Sequence, residues 1–207
     1  MSDSSPAPKR RKEQRPLEIL RAAIDLFGEQ GFAHTTISAI AKRAGAAKGT
    51  VYLYFETKEA LFEEAVRQFI KPMFSGIKLS VDRFPGTNRE LLEMLIRRVY
   101  AQLVENEERR AIIRIVISEG QRFPHLGQFY HREIIQHAQK MIGQILQRGV
   151  AAGEFRESLA KSFPAVLMGP VMLAAVWKMT FDTAQPLNVQ RFCEAHLDLI
   201  MQGLCTR

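Results

Sequence analysis

The residues of this chain best suited to chemistry are Lys48, Thr50, Tyr52, Tyr54 and Lys58, gathered in one stretch that reads AAKGTVYLYFETK. Amine and hydroxyl groups at this density donate hydrogen bonds, and the acceptors that match them are phosphate oxygens and base edges. Helical spacing separates them from the apolar residues. Ala47, Thr50 and Tyr54 form one outward row, Lys48 and Tyr52 another, and Val51 and Phe55 the inward face. Lys48 and Lys58 also break a local rule, because each stands at a predicted helix start, where the macrodipole disfavours a cation by about 0.3–1 kcal/mol. An anion docked there would remove the conflict, since backbone N–H groups and a lysine would converge on one phosphate. A helical hairpin with a solvated polar face would account for the periodicity but not for these two lysines.

The elements that must hold these groups can be read outward from them. Thr36 is a good N-cap, and Ile37, Ile40, Ala41 and Ala44 form the apolar stripe of the helix behind it. Gly45 stops that helix, and Val51 and Phe55 of the next can pack on the stripe. Upstream, Pro16 suits a first helical position, Leu17, Leu20, Ile24 and Phe27 continue as a buried stripe, and Gly31 is the expected C-cap. This is a three-helix unit, the usual minimal frame of a helix-turn-helix reader. Thr57 caps a fourth helix with Leu61, Phe62, Ala65 and Phe69 on one side, which Pro72 should kink or end. Residues 82–88 form a loop, and the spacing beyond it predicts helices over 89–106, 109–120, 127–149, 159–181 and 187–204. The fold expected is therefore all-α: a three-helix helix-turn-helix domain followed by a larger helical domain, about nine helices in all.

Composition narrows the function. The 207 residues carry a net charge of +7 with a pI near 9.6, a mild preference for a polyanionic partner. The excess is denser at the start, with ten basic against six acidic residues in 1–58. Residues 1–15 are rich in Ser and Pro and then basic at Lys9, Arg10, Arg11, Lys12 and Arg15, which reads as a flexible arm able to lie along phosphates or in a minor groove. There is no signal-peptide apolar region, and the longest apolar run, 163–177, is too short to span a membrane and is interrupted by Gly169-Pro170. Cys193 and Cys205 lie too far apart along one helix for a disulfide, so a reducing cytoplasm is the expected setting. His125, His131 and His137 lack zinc-site spacing, and no nucleophile motif or Gly-rich phosphate loop occurs, so no catalytic residue, metal or cofactor is expected. Glu119 near Arg122 reads as a helix-surface ion pair.

Residues 17–62 carry FGEQGF and then TTISAIAKRAGAAKGTVYLYFETKEALF without a gap, and this run resembles the DNA-binding domain of the TetR family of bacterial transcriptional regulators. The resemblance implies phosphate or base contacts from Thr36, Ser38, Ala46, Ala47, Lys48, Gly49, Thr50, Tyr52, Tyr54 and Lys58. Ala46 and Ala47 depart from the larger polar residues common at that turn, which shifts base reading toward Thr50. The phrase ISEGQRFPHLGQFYHREI more loosely resembles the same family's ligand-binding and dimerisation domains. The implied organisation is a basic arm at 1–15, a DNA-binding domain at 16–62 and a ligand-binding and dimerisation domain at 63–207.

Within the second domain, Pro170 beside Met168 and Met172 suggests an adaptable apolar cavity. Its candidate walls are Phe69, Met73, Phe123, Met141, Met168, Met172 and Trp177, with Tyr100, Arg114 and His137 as polar contacts. Leu197, Ile200, Met201 and Leu204 form a stripe suited to a homodimer interface. The expectation is a ligand-responsive regulator, most simply a repressor, that binds a palindromic double-stranded DNA operator as a homodimer and is released by a small, largely apolar effector. Two other readings compete: a ligand-binding or scaffolding protein of the same fold without DNA binding, and a small-molecule enzyme using the cavity.

Overall fold

The computed structural model describes residues 8–74, 84–157 and 164–206, apart from the side chains of 8–13 and 164. Nine helices result among them when π and 3-10 turns are counted with the helices they adjoin. They are α1 (Pro8–Gln30), α2 (Ile37–Arg43), α3 (Lys48–Tyr52), α4 (Lys58–Ala65 with the π turn Val66–Ile70), and α5 (Asn88–Val99 with the π turn Tyr100–Val104). After them come α6 (Glu107–Glu119), α7 (Pro124–Tyr130, the π turn His131–Ile135, then Gln136–Ala151), α8 (the 3-10 turn Pro164–Met168 with Gly169–Thr180) and α9 (Val189–Leu204). Among the described residues the one β feature is an isolated bridge between Phe155 and Cys205. The all-α expectation holds.

The start of α1 differs from expectation. The helix begins at Pro8, so Pro16 lies inside it and the second half of the expected flexible arm is helical. Lys, Arg, Glu and Gln are strong helix formers, and Pro8 suits the first turn, so KRRKEQR extends the helix once a packed segment follows it. Residues 1–7 of that arm, residues 82 and 83 of the expected loop and residues 159–163 of the expected eighth helix lie outside the described residues.

The chain forms two compact units, each drawn from separate stretches. The first takes residues up to Gln68 together with Ala111–Tyr130. Its core is built from the inward stripes of α1 to α4, including Leu20, Ile24, Phe27, Ile40, Val51, Leu61 and Phe62, with Ile112, Ile113, Leu126 and Phe129 from the later stretch. Phe32 is wholly buried, with its ring 4.8 Å from Phe27 and 5.0 Å from Phe123. Gly31 takes φ +83°, which turns the chain out of α1. The Phe32 N–H then donates to Glu119 at 3.3 Å.

The second unit comprises Phe69–Arg110 and His131–Arg207. Leu91, Leu92, Leu95, Ile96, Ile145, Leu146, Val171, Ala174 and Leu197 are buried in it. Thr87 and Glu90 form a reciprocal capping box at the start of α5. Glu154 closes the same helix end by accepting from the Asn88 N–H, the Asn88 amide and the Arg89 N–H at 3.1, 2.7 and 3.0 Å. A carboxylate at a helix N-terminus is favoured by both the free N–H groups and the dipole.

Burial raises the Glu154 pKa, but the donors from Arg89 and Asn88 outweigh it and hold the group below the ordinary 4.5. A depressed folded-state value contributes stability that is present above the unfolded pKa and lost as pH falls through the folded one. Glu154→Gln is therefore expected to melt below wild type at pH 7, with the gap closing below about pH 4, in circular-dichroism melts across pH.

Candidate nucleic-acid interface and effector residues

Helix α2 is fixed at both ends by its own sequence. Thr36 accepts from the Ala39 N–H at 3.1 Å. At the other end Gly45 takes φ +60°, its N–H bonds to the Lys42 carbonyl and the Ala46 N–H to that of Ala41, which is a Schellman closure. The chain then enters α3 through Ala47, an N-cap with no side-chain acceptor to offer, so its first N–H groups stay open. Val51 and Phe55 are buried with Ile40 and Ala41, and this packing sets the rotation of α3.

That rotation turns the polar groups outward. Thr36, Ser38, Ala47, Lys48, Gly49, Tyr52 and Tyr54 are exposed, and Ala46 and Thr50 are half-buried. Lys48 Nζ lies 5.8 Å from the Tyr52 ring centroid, so the two share one patch. Leu53, absent from the expected set, is 82% exposed beside Tyr52 and Tyr54. Its signal in the sequence is an apolar residue off the packing stripe, and an aliphatic group there suits a thymine methyl.

Lys58 stands apart. It does begin α4, but its ammonium turns inward to the Phe32 and Ala33 carbonyls at 2.7 and 3.2 Å and lies 4.9 Å from the Phe32 ring. Those carbonyls, rather than an outside anion, answer the charge at that helix start. Arg15, expected in the arm, donates to the Ala44 carbonyl at 3.3 Å and pairs with Glu18. Arg43 makes a two-pronged ion pair with Glu29 at 2.9 and 2.7 Å.

The expected effector residues divide between the units. Arg114 and Phe123 belong to the first, where Arg114 is exposed and Phe123 packs edge-on to Phe32. Phe69, Met73, Tyr100, His137, Met141, Met168, Met172 and Trp177 belong to the second. There Phe69, Met73 and Tyr100 are buried, His137 is exposed, and the remaining four are partly exposed. Trp177 Nε1 donates to the Gln185 carbonyl at 2.8 Å. Sequence reasoning missed His196, which is buried on α9 with Nδ1 3.0 Å from the Tyr100 hydroxyl. An open concavity of about 560 Å³ lies in the first unit, lined by Leu17, Leu20, Tyr54, Phe55, Glu63 and Arg67 among others.

The dimer stripe needs correction. Leu197, Met201 and Leu204 are buried in the protomer's own core, and Ile200 alone of the four is partly exposed. Their spacing recorded a packed face, but one that covers this chain rather than a second copy.

The two lysines are expected to separate in a melt. Lys58→Ala removes a charge-assisted cap from two carbonyls and should cost about 1–3 kcal/mol. Lys48→Ala should stay within about 0.5 kcal/mol of wild type in denaturant unfolding.

Similarity to known proteins follows the same division. The family profile described as bacterial regulatory proteins, tetR family, matches residues 19–65, and that of a tetracyclin repressor-like C-terminal domain matches residues 86–188. The fatty acid metabolism regulator protein of Bacillus subtilis (strain 168) is 31% identical over 154 residues, spanning 72% of this chain and 75% of the relative. The transcriptional repressor KstR2 of Mycolicibacterium smegmatis is 30% identical over 189 residues, spanning 90% and 89%. Among solved structures, the transcriptional regulator FadR of Bacillus subtilis in complex with stearoyl-CoA superposes with a TM-score of 0.68 at 25% identity, over 90% of this chain and 98% of that one.

Proposed function

The chain belongs to the TetR family of bacterial regulatory proteins, and from that premise we propose that it is a ligand-responsive transcriptional repressor acting on a palindromic DNA operator. The observation that carries the reading is the outward face of α3. Lys48, Thr50, Tyr52 and Tyr54 stand on a helix held from behind by Val51 and Phe55, with a glycine turn before it and an uncapped N-terminus. Lys48, the two tyrosines and the open N–H groups position the helix on phosphates, and Thr50 reads base edges in the major groove. DNA as the partner places the protein in the cytoplasm. The same exposed set counts against a scaffold that has lost DNA binding.

The effector is a small, largely apolar molecule held in the second unit, where Met168, Met172 and Trp177 of α8 are incompletely buried. The relatives support this class, since one is named for fatty acid metabolism and another was solved with stearoyl-CoA. Binding weakens the operator complex to the extent that the effector prefers a conformation unsuited to DNA.

Two half-sites call for a homodimer. With Leu197, Met201 and Leu204 committed to the core, the second copy packs on the outer faces of α8 and α9, where Leu173 is 52% and Leu199 73% exposed and Ala195 and Gly203 allow close approach.

Gel shifts against an operator selected from genomic fragments test the DNA contacts. Lys48→Ala should weaken all sequences alike and reduce the salt slope by about 1 for each phosphate that the lysine neutralises, whereas Thr50→Ala should relax preference at one base pair by about 1–3 kcal/mol. Equal binding by wild type and both variants would defeat the assignment.

Leu199→Asp places a charge at the centre of the proposed interface and should give a helical monomer by analytical ultracentrifugation. A dimer of unchanged affinity would move the interface elsewhere.

A further inference from the structure

Helix α3 ends beside the most exposed large apolar side chain among the described residues. Leu53 is 82% exposed, and with Tyr52 at 47% and Tyr54 at 36% it makes three consecutive apolar-bodied residues open to solvent. Such a run is unfavourable on a surface that meets only water, and it ordinarily marks a partner.

Helix geometry places the leucine. Hydrogen bonds from the Leu53 N–H to the Gly49 carbonyl at 3.1 Å and from the Phe55 N–H to the Val51 carbonyl at 2.9 Å carry the helical ladder through Phe55. Val51 and Phe55, the buried residues, each lie two positions from Leu53. Two positions are about 200° of rotation at 3.6 residues per turn, so Leu53 stands opposite the packed face. Gly49, one turn earlier, shares that crest. Lys48 and Tyr52 flank the crest on one side, and Thr50 and Tyr54 on the other. A helix lying in the major groove meets base edges along its crest and the sugar-phosphate walls along its flanks.

Gly49 supplies an independent observation. A glycine inside a helix weakens it relative to alanine. The φ of Gly49 is not positive, and a Cβ built there would meet nothing within 4 Å among the described residues. The missing side chain therefore leaves clearance for something outside the chain, and close approach of backbone to a ligand is a use that glycine serves.

We propose that Leu53 reads a thymine, its isobutyl group packing on the C5-methyl in the major groove, with Gly49 letting the crest seat close enough for that contact. The inference rests on the operator-binding reading above and names one base that the operator must present. Of the groups that bases display in the major groove, the thymine methyl is the apolar one, and the others are donors and acceptors that a leucine cannot satisfy. Thr50, on the neighbouring row, keeps its own base pair, so the two residues select at different positions.

The test remakes an operator selected from genomic fragments with single thymines replaced by deoxyuridine, which removes the methyl and leaves every hydrogen-bonding group in place. Gel shifts with the whole chain then compare wild type and variants. Wild type should lose about 4-fold in affinity at one or more thymines of each half-site, the worth of one buried methyl group. Leu53→Ala should bind the natural operator more weakly and lose nothing further at one of those uracils, while its far-UV circular dichroism stays that of wild type. Should Leu53→Ala fail to fold, Leu53→Gln takes its place with the same expectation. Gly49→Ala should raise the melting temperature and weaken operator binding. The proposal is overturned if no uracil weakens wild type, if the Leu53 variant keeps the whole of wild type's uracil sensitivity, or if Gly49→Ala binds as wild type does. A wild type that retains no genomic fragment would sink the operator reading and this one together, whereas an operator bound without regard to any thymine methyl would sink this one alone.

Discussion

A helix of five residues has no stability of its own in water, because helices shorter than about 12–15 residues are marginal even in favourable sequences. Helix α3 is Lys48–Tyr52, and what makes it a helix is the burial of Val51 and Phe55 against Ile40 and Ala41. The outward polar face exists as the other side of that packing. Everything around it serves the same constraint: the Schellman closure at Gly45 sets the angle of entry, Thr36 and Thr57 start the flanking helices, and Arg43 ties α2 to α1 through Glu29. Ordering groups on a rigid element before they meet DNA removes a cost that a flexible loop would incur on binding.

The sequence showed this part of the fold well because its rules are local. A cap three residues from the N–H it binds, a glycine at a positive-φ position and an i, i+4 apolar pair are all visible within one turn of helix. Lys58 marks the limit of local rules. Its position at a helix start is as expected, but the carbonyls that answer its charge belong to Phe32 and Ala33, far back in the chain. Two lysines that broke the same rule thus had different remedies, and only the fold distinguishes them. Lys48 remains exposed, with the Tyr52 ring as its neighbour.

Periodicity misled in a second, instructive way. The stripe Leu197, Met201 and Leu204 was correctly legible as a buried face, but spacing states that a face is covered without stating by what. The exposed apolar residues of α9, Ala195 and Leu199, fall on a face too sparse in apolar groups to register as a stripe. His196 was missed for a related reason. A lone histidine on an apolar helix reads as a core residue, and what sets it apart is the Tyr100 hydroxyl at its Nδ1, a contact of the packed chain and not of the sequence.

The division into two units sharpens what coupling requires. The first unit is completed by Ala111–Tyr130, so its core is not finished when the helix-turn-helix sequence ends. The chain passes between the units after Gln68, Arg110 and Tyr130, and each passage lies within a helix, α4, α6 and α7. Two of these passages coincide with or adjoin a π turn, Val66–Ile70 and His131–Ile135. An α-helix resists bending because each bend costs backbone hydrogen bonds, whereas a π turn has already exchanged that register for another. For any regulator with two conformations, a ligand that favours one by about 1–3 kcal/mol changes operator affinity by roughly 5- to 150-fold.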